Sequence, residues 1–436
     1  MKIIRADAPE FIEYFRKLRE RGGTFSPQLL ASVVEIIRDV VAKGDEALFD
    51  YTAKFDGHQL TAATMEVTAK ERKDALARVA PEDLEVIKLS ARRIEDYHRH
   101  QVAQGFMVNQ ESGVELGQIV LPLQRVGIYA PGGKAFYPST LLMAAIPAHI
   151  AGVEEIILAS PSKDGQLNPL IAAAAEISGV HRIFKIGGAQ AIAALAYGTK
   201  TISRVDKIVG PGNAYVAAAK KLVFGQVAID MIAGPSEVVV IADKTANASF
   251  VAADMLAQAE HDEMAAAVLL TPLPDFAREV SQEIDRQLKT LSRKEIMESS
   301  LSKYGAIIIT ADIAQAVELA NLFAPEHLEL MVENPAEILG QVRNAGSVFL
   351  GSFTPEALGD YIAGTNHILP TQGTARFSSP LGVYDFYKRM SVLSFSQEAL
   401  GRLTKQTAHF AQMEGLDAHA NSVNVRNKKI KPEGTN

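Results

Sequence analysis

Three short stretches of this chain carry side chains that could do chemistry together. Gln258-Ala259-Glu260-His261 falls in a segment with helical apolar spacing, where residues three apart project from one face. It offers a carboxamide and an imidazole. Gly359-Asp360-Tyr361-Ile362-Ala363-Gly364-Thr365-Asn366-His367 offers a carboxylate and an imidazole on a glycine-rich loop. Imidazole plus carboxylate, without thiolate, is a donor set that zinc accepts. Between the two lies Ala324-Pro325-Glu326-His327, an acid beside an imidazole after a helix-ending proline. One segment could therefore supply two proton-transfer groups.

Taken singly, each stretch also has an ordinary explanation. Asp254 shares the face of Gln258 and His261, so spacing does not choose among the three. Gly, Asp, Asn and Thr form turns for backbone reasons alone. Glu326 would sit well at a helix N-terminus. A fourth stretch, Gly210-Pro211-Gly212-Asn213, lies between a strand and a helix, where backbone amides can face a phosphate. The third glycine of a dinucleotide fingerprint would fall at Tyr215, and the full pattern occurs nowhere in the chain. Asp230 lies about where a ribose-binding acid would fall. Pro131-Gly132-Gly133 and Gly187-Gly188-Ala189-Gln190 read as further strand-to-helix turns. Three such turns at strand ends predict a ligand crevice.

The elements that must position these groups follow from patterning. At 436 residues the chain exceeds one ordinary core, so two or more domains are expected. Residues 1–105 read as helical, with apolar spacing over Leu29 to Phe49 and a charged amphipathic pattern over Pro81 to His100. From Val114 short apolar runs alternate with Ala-rich helices. Arg125 to Ala130, Pro138 to Ala151 and Glu155 to Ala159 form one βαβ unit. A second α/β run starts near Val238. The expected fold is α/β: two doubly wound domains, a helical N-terminal region and a helical C-terminal arm. The division is 1–105, 106–235 for the first α/β domain, 236–376 for the second and 377–436 for the arm.

Composition excludes several classes. The apolar fraction of 47% and charged fraction of 22% are those of a globular protein. A net charge of −7 gives no general attraction to nucleic acid. The basic cluster Arg426-Asn427-Lys428-Lys429-Ile430-Lys431 reads as a solvated tail. Cysteine is absent, which removes disulfides, thiolate metal sites and a cysteine nucleophile. No 20-residue apolar span and no secretory h-region are present, so no membrane partner and a cytoplasmic location are expected.

Together these fragments resemble the histidinol dehydrogenase family over roughly residues 30 to 426. The motifs that carry the resemblance are long. They include Ile128 to Gly133, Val205 to Asn213, Ile229 to Glu237, Gln258 to His261, Ala324 to Leu328, Glu356 to Thr371, Thr374 to Leu381 and Glu414 to His419. The resemblance implies an NAD-dependent enzyme that oxidises L-histidinol to L-histidine through the bound aldehyde, the last step of histidine biosynthesis. It implies one zinc per site, held by Gln258, His261, Asp360 and His419, the last supplied in trans within a homodimer. NAD contacts fall on Tyr129, Gln190 and Asn213. Substrate contacts fall on Ser236, Glu414, His327 and the zinc ligands, with His367 beside them. The implied fold is two incomplete Rossmann-like domains lacking the glycine fingerprint, which agrees with Tyr215.

The roles implied for the acid–imidazole pair suit the chemistry. Alcohol oxidation removes a proton and a hydride, and histidine is the usual base near neutral pH. An aldehyde gives up hydride only after something adds to it. With no cysteine to add, water must, and the resemblance gives Glu326 the task of activating it and His327 the proton transfers of both hydride steps. Zinc would mainly hold the substrate through nitrogen, with polarisation of the carbonyl as a second role. Two readings from other classes stay open on the residues alone: a zinc hydrolase using Glu326, and a non-catalytic metal-binding protein. A paralogue acting on a related alcohol is the nearest rival.

Overall fold

The computed structural model describes residues 1–22, 25–132, 136–162 and 164–427. Gly133 of the first glycine turn and residues 428–431 of the basic cluster lie outside them. The strands in chain order are β1 (Lys2–Arg5), β2 (Phe106–Glu111), β3 (Val114–Pro122), β4 (Arg125–Tyr129), β5 (Glu155–Ala159), β6 (Arg182–Phe184) and β7 (Lys207–Val209). They continue as β8 (Ala228–Ile229), β9 (Glu237–Ala242), β10 (Ala266–Thr271), β11 (Ala306–Ile309), β12 (His327–Met331), β13 (Ser347–Leu350) and β14 (Tyr387–Phe395).

The chain divides into two compact units, residues 1–101 with 123–386, and residues 102–122 with 387–436. The larger unit holds two parallel sheets. The first runs β6-β5-β4-β7-β8 and the second β1-β11-β10-β9-β12-β13. In each, the strand that starts the α/β run sits in the middle and the chain winds outward to both sides. That is the doubly wound order, with switch points between β4 and β7 and between β9 and β12. Helices cover both faces, so the central strands read as unbroken apolar runs: every residue of β9 and β10 is buried. The helix Pro138–Ala151 is apolar nearly all round and is buried along most of its length.

The two halves expected from the α/β alternation are therefore present as Rossmann-like sheets. Three elements differ from expectation. The helical N-terminal region begins with β1, which pairs in parallel with β11 at the edge of the second sheet. Residues 327–331, read only as a segment after a proline, form β12, between β9 and β13. The segment after Pro380, read as helical, contains the nine-residue β14. It pairs antiparallel with β3 from Tyr387–Pro122 to Phe395–Val114. Lys388, Arg389, Ser391 and Ser394, all exposed and alternating between the two faces of the strand, dilute the apolar signal.

The smaller unit is this three-stranded β14-β3-β2 sheet together with the helices Gln397–Met413 and Asp417–Asn427. Glu414 follows the first of these helices, and His419 lies in the second. Both are exposed.

Candidate active site

A cavity of about 310 Å³ opens in the larger unit, within the usual size of small-molecule sites. One wall is the first sheet's switch point: Pro131 after β4, and Gly210, Pro211, Gly212 and Asn213 after β7. The other wall carries Ser236, His261, Glu326, His327, Asp360 and His367. Ser236 and Glu326 immediately precede β9 and β12, and His327 begins β12. The site thus uses the carboxyl ends of the first sheet's strands but the amino ends of the second's. Parallel topology accounts for this. The helix Ala248–Ala259 leaves the far end of β9 and returns to the near edge, bringing Gln258 and His261 with it.

His261 lies just past that helix rather than on it: the helix ends at Ala259 with Glu260 as its cap. Its backbone N–H still donates to the Gln258 carbonyl at 3.3 Å. Asp360 is not on a loop either. It lies in a short helix, Glu356–Tyr361, and shares a face with Glu356 four residues earlier. Donor atoms of His261, Glu356 and Asp360 all lie within 4.8 Å of one another. Glu356 was not singled out in the sequence, although it opens one of the matching motifs.

The electrostatics of this cluster call for a cation. Burial pushes the Glu356 carboxyl well up, and the neighbouring Asp360, Glu329, Glu326 and Asp254 carboxylates push it further. Burial raises Asp360 to about 6, with His261 working against it. Glu356 Oε2 and Gln258 Nε2 are buried without partners. The C-terminal end of the Ala248–Ala259 helix adds partial negative charge at the same place. Nitrogen and oxygen donors without sulfur fit zinc. Gln258 itself is completely buried and turns its Oε1 to His327 Nδ1 at 3.2 Å.

His327 sits over this cluster. Its Nδ1 also lies 3.2 Å from the Glu237 carbonyl oxygen, which can only accept. Nδ1 therefore carries the hydrogen, and Nε2 is the free base. That nitrogen is buried with no partner and stands 3.9 Å from Asp360 Oδ1. Burial drives the imidazole down to about 3, so it is neutral across the working range. Glu326 is buried beside it, its carboxyl pushed well up by burial and by the Glu237 carboxylate. His367 donates from Nδ1 to the Asp360 carbonyl at 3.0 Å, and burial lowers it to about 4.

Tyr129, Gln190 and Asn213, the residues expected to contact a cofactor, all lie around the first sheet. Tyr129 ends β4, and its hydroxyl accepts the Gly188 N–H at 3.1 Å. Gln190, two residues on, is buried with an unpartnered Oε1. Gly210 adopts φ +112°, and a Cβ there would stand 2.1 Å from the Tyr129 carbonyl oxygen. Asn213 caps the Ala214–Val223 helix, accepting from Tyr215 and Val216 N–H at 3.0 and 3.2 Å. The exposed crevice and the spare acceptor on Gln190 suit a polar ligand lying across the strand ends.

Asp230 does not do what its spacing suggested. It accepts the Gly210 N–H at 2.8 Å and the Met231 N–H at 2.6 Å, and it pairs with the buried Lys220. Lys220 in turn donates to the Gly210 carbonyl at 2.9 Å. The acid thus clamps the glycine turn, and its oxygens are committed. Sequence spacing gave no sign of Lys220, because a lysine on an Ala-rich helix reads as a surface residue.

The histidinol dehydrogenase family model matches residues 19–427. The histidinol dehydrogenase of Syntrophotalea carbinolica is 52% identical over 428 residues, covering 98% of this chain and 99% of that protein. That of Aquifex aeolicus is 53% identical over 417 residues, covering 96% of each. The crystal structure of the Elizabethkingia anophelis histidinol dehydrogenase is similar with a TM-score of 0.92 at 38% identity, covering 98% of both chains.

Proposed function

The chain belongs to the histidinol dehydrogenase family, oxidoreductases of histidine biosynthesis, and from that premise we propose that it oxidises L-histidinol to L-histidine with NAD and zinc. The observation that carries the reading is the unpartnered Nε2 of His327, a buried neutral base facing the cavity beside a carboxyl of raised pKa.

His261, Asp360 and Gln258 would hold the zinc, with Glu356 beside them and His419 supplied by the partner of a homodimer. When bound, zinc gathers the substrate's nitrogens at a fixed point, and NAD accepts hydride. The remaining work belongs to the chain's own side chains. His327 Nε2 accepts the hydroxyl proton of the alcohol as hydride leaves the same carbon. The Glu237 carbonyl keeps Nδ1 as the donor, so the base faces the cavity throughout. For the aldehyde, Glu326 takes a proton from water as the oxygen adds to carbon. Its raised pKa makes the carboxylate a stronger acceptor for that proton. With its first proton released to solvent and a second NAD in place, His327 accepts the proton of the resulting diol as the second hydride leaves. Ser236 and Glu414 contact the substrate, while Tyr129, Gln190 and Asn213 contact NAD.

L-Histidinol supplied with NAD should yield two NADH per molecule oxidised, with no aldehyde trapped by an added amine. One NADH, with trapped aldehyde, would refute the four-electron reading. No NADH at all would return the zinc hydrolase to consideration. Among the described residues no helix is long and apolar enough to cross a membrane.

A further inference from the structure

We propose that Thr140 is a positioning residue for Asp360, acting through His367; the inference rests on the metal reading above. Thr140 lies in the first turn of the Pro138–Ala151 helix, on the cofactor side of the cavity, and is 3% exposed. Its Oγ1 is 2.9 Å from His367 Nε2, and His367 Nδ1 is 3.0 Å from the Asp360 carbonyl oxygen. All three residues line the same cavity.

The direction of each hydrogen bond follows from the acceptor. A carbonyl only accepts, so Nδ1 carries the hydrogen. In the neutral ring Nε2 is then the acceptor, and the Thr140 hydroxyl donates to it. This sets both the tautomer and the ring plane. The Asp360 carbonyl belongs to the end of the short Glu356–Tyr361 helix. Holding that end orients Asp360 and, on the same face, Glu356. Six residues is too few for a helix to hold its own direction, since nucleation is costly. A second fastening lies one turn further along the Pro138–Ala151 helix. Asn366 Nδ2 donates to the Met143 carbonyl at 2.7 Å, and Asn366 Oδ1 accepts the Ile368 N–H at 2.9 Å. The loop after the Asp360 helix is thus docked on the cofactor-side helix at two points. Only the Thr140 contact reaches the Asp360 carbonyl, through the ring.

Without the hydroxyl, Nε2 becomes a buried acceptor with no partner, and the ring is free to turn or change tautomer. The Asp360 carbonyl then loses its donor. Groups that orient metal ligands in this way typically affect metal affinity by about 10–100-fold.

The test measures zinc affinity of the metal-free full-length protein by competition with a chromophoric chelator, for wild type, Thr140→Val, Thr140→Ser and Thr140→Ala. Thermal unfolding of each metal-free form checks the fold. The expected result is a loss of about 10–100-fold in Thr140→Val and Thr140→Ala, and wild-type affinity in Thr140→Ser. Should Thr140→Val not fold, the Ala and Ser variants, which differ by the hydroxyl alone, give the same comparison. Wild-type affinity in the variants lacking the hydroxyl would overturn the proposal. So would a Ser variant as weak as Ala, since packing of the methyl group would then be the cause. A wild-type protein that takes up no zinc would overturn the metal reading itself, and this inference with it.

Discussion

The backbone N–H of Glu237 donates to Oε2 of Glu326 at 3.1 Å. The Glu237 carboxylate is in turn held by the guanidinium of Arg21, with both side chains 1% exposed. One residue therefore does two opposite things to the proposed water-activating acid. Its amide orients and stabilises the Glu326 carboxylate, and its own charge pushes the Glu326 carboxyl up. Arg21, reaching in from the N-terminal region, also donates to the carbonyls of Leu18 and Met264 at 3.0 and 3.2 Å.

Glu326→Gln is expected to slow aldehyde oxidation far more than alcohol oxidation, because only the second step needs water activated. His327→Gln should slow both, each by the order of 10²–10⁴ typical of general acid–base groups. The two steps are measured separately, from histidinol and from histidinal. An equal fall of both in Glu326→Gln would remove that residue from the water-activating role.

Arg21→Met should destabilise the fold by roughly 3–5 kcal/mol, because it leaves the Glu237 carboxylate buried without its cation. Urea unfolding monitored by circular dichroism reads this directly. A midpoint unchanged from wild type would mean that Glu237 is neutral in the folded protein.

His98 supplies a pH dependence of stability. Its ring is fully buried, with Nδ1 donating to the Ile94 carbonyl at 2.8 Å and Tyr97 edge-on against it. Burial holds the imidazole below its ordinary value, with the backbone contacts at Ile94 and Leu381 working against that. In the unfolded chain it binds a proton from about pH 6.5 downward. The folded chain does so only at lower pH. Stability is therefore fully present above about pH 6.5 and is lost as pH falls toward the folded value, by at most about 1.4 kcal/mol per pH unit. His98→Gln should show a shallower loss between pH 7.5 and 5.5. Identical slopes for variant and wild type would clear His98 of any part in acid sensitivity.

The trans assignment of His419 predicts complementation. His261→Asn and His419→Asn homodimers should both be inactive. Their heterodimer should regain activity at one of its two sites, since one site then carries both substitutions and the other neither. Differently tagged subunits, co-expressed and purified as the mixed dimer, are assayed with L-histidinol. A mixed dimer as inactive as its parents would assign His419 to its own chain.

Much of the architecture was legible because parallel α/β units write themselves as short apolar runs between Ala-rich helices. Val238 to Ala242 and Ala266 to Leu270 could be read as strands without help. β12 was hidden, since His327-Leu328-Glu329-Leu330-Met331 carries two ionisable residues that only the finished site accounts for. Glu329 is there to accept the Glu356 N–H at 3.0 Å. The acid–imidazole pair, Asp360 and His261 were visible as residue types at suggestive spacings. Glu356, Arg21, Lys220 and Thr140 were not: Arg21 and Thr140 act on Glu237 and His367, far away in sequence, while Glu356 beside Asp360 and Lys220 beside Asp230 read as ordinary helix residues until the fold buries them.

The pairing of β1 with β11 sets an order of events during synthesis. Lys2 lies opposite Ala306 and Arg5 opposite Ile309, so β1 has no place to dock until some three hundred more residues have followed. At ~5–20 residues per second that is a wait of roughly 15–60 s. β1 thus closes its edge only after β9, β10 and β11 have been made, while β12 and β13, which complete the opposite edge, are made later still. A bulky domain fused directly ahead of Met1 would hang from that edge strand, and a spacer would be needed to let it close.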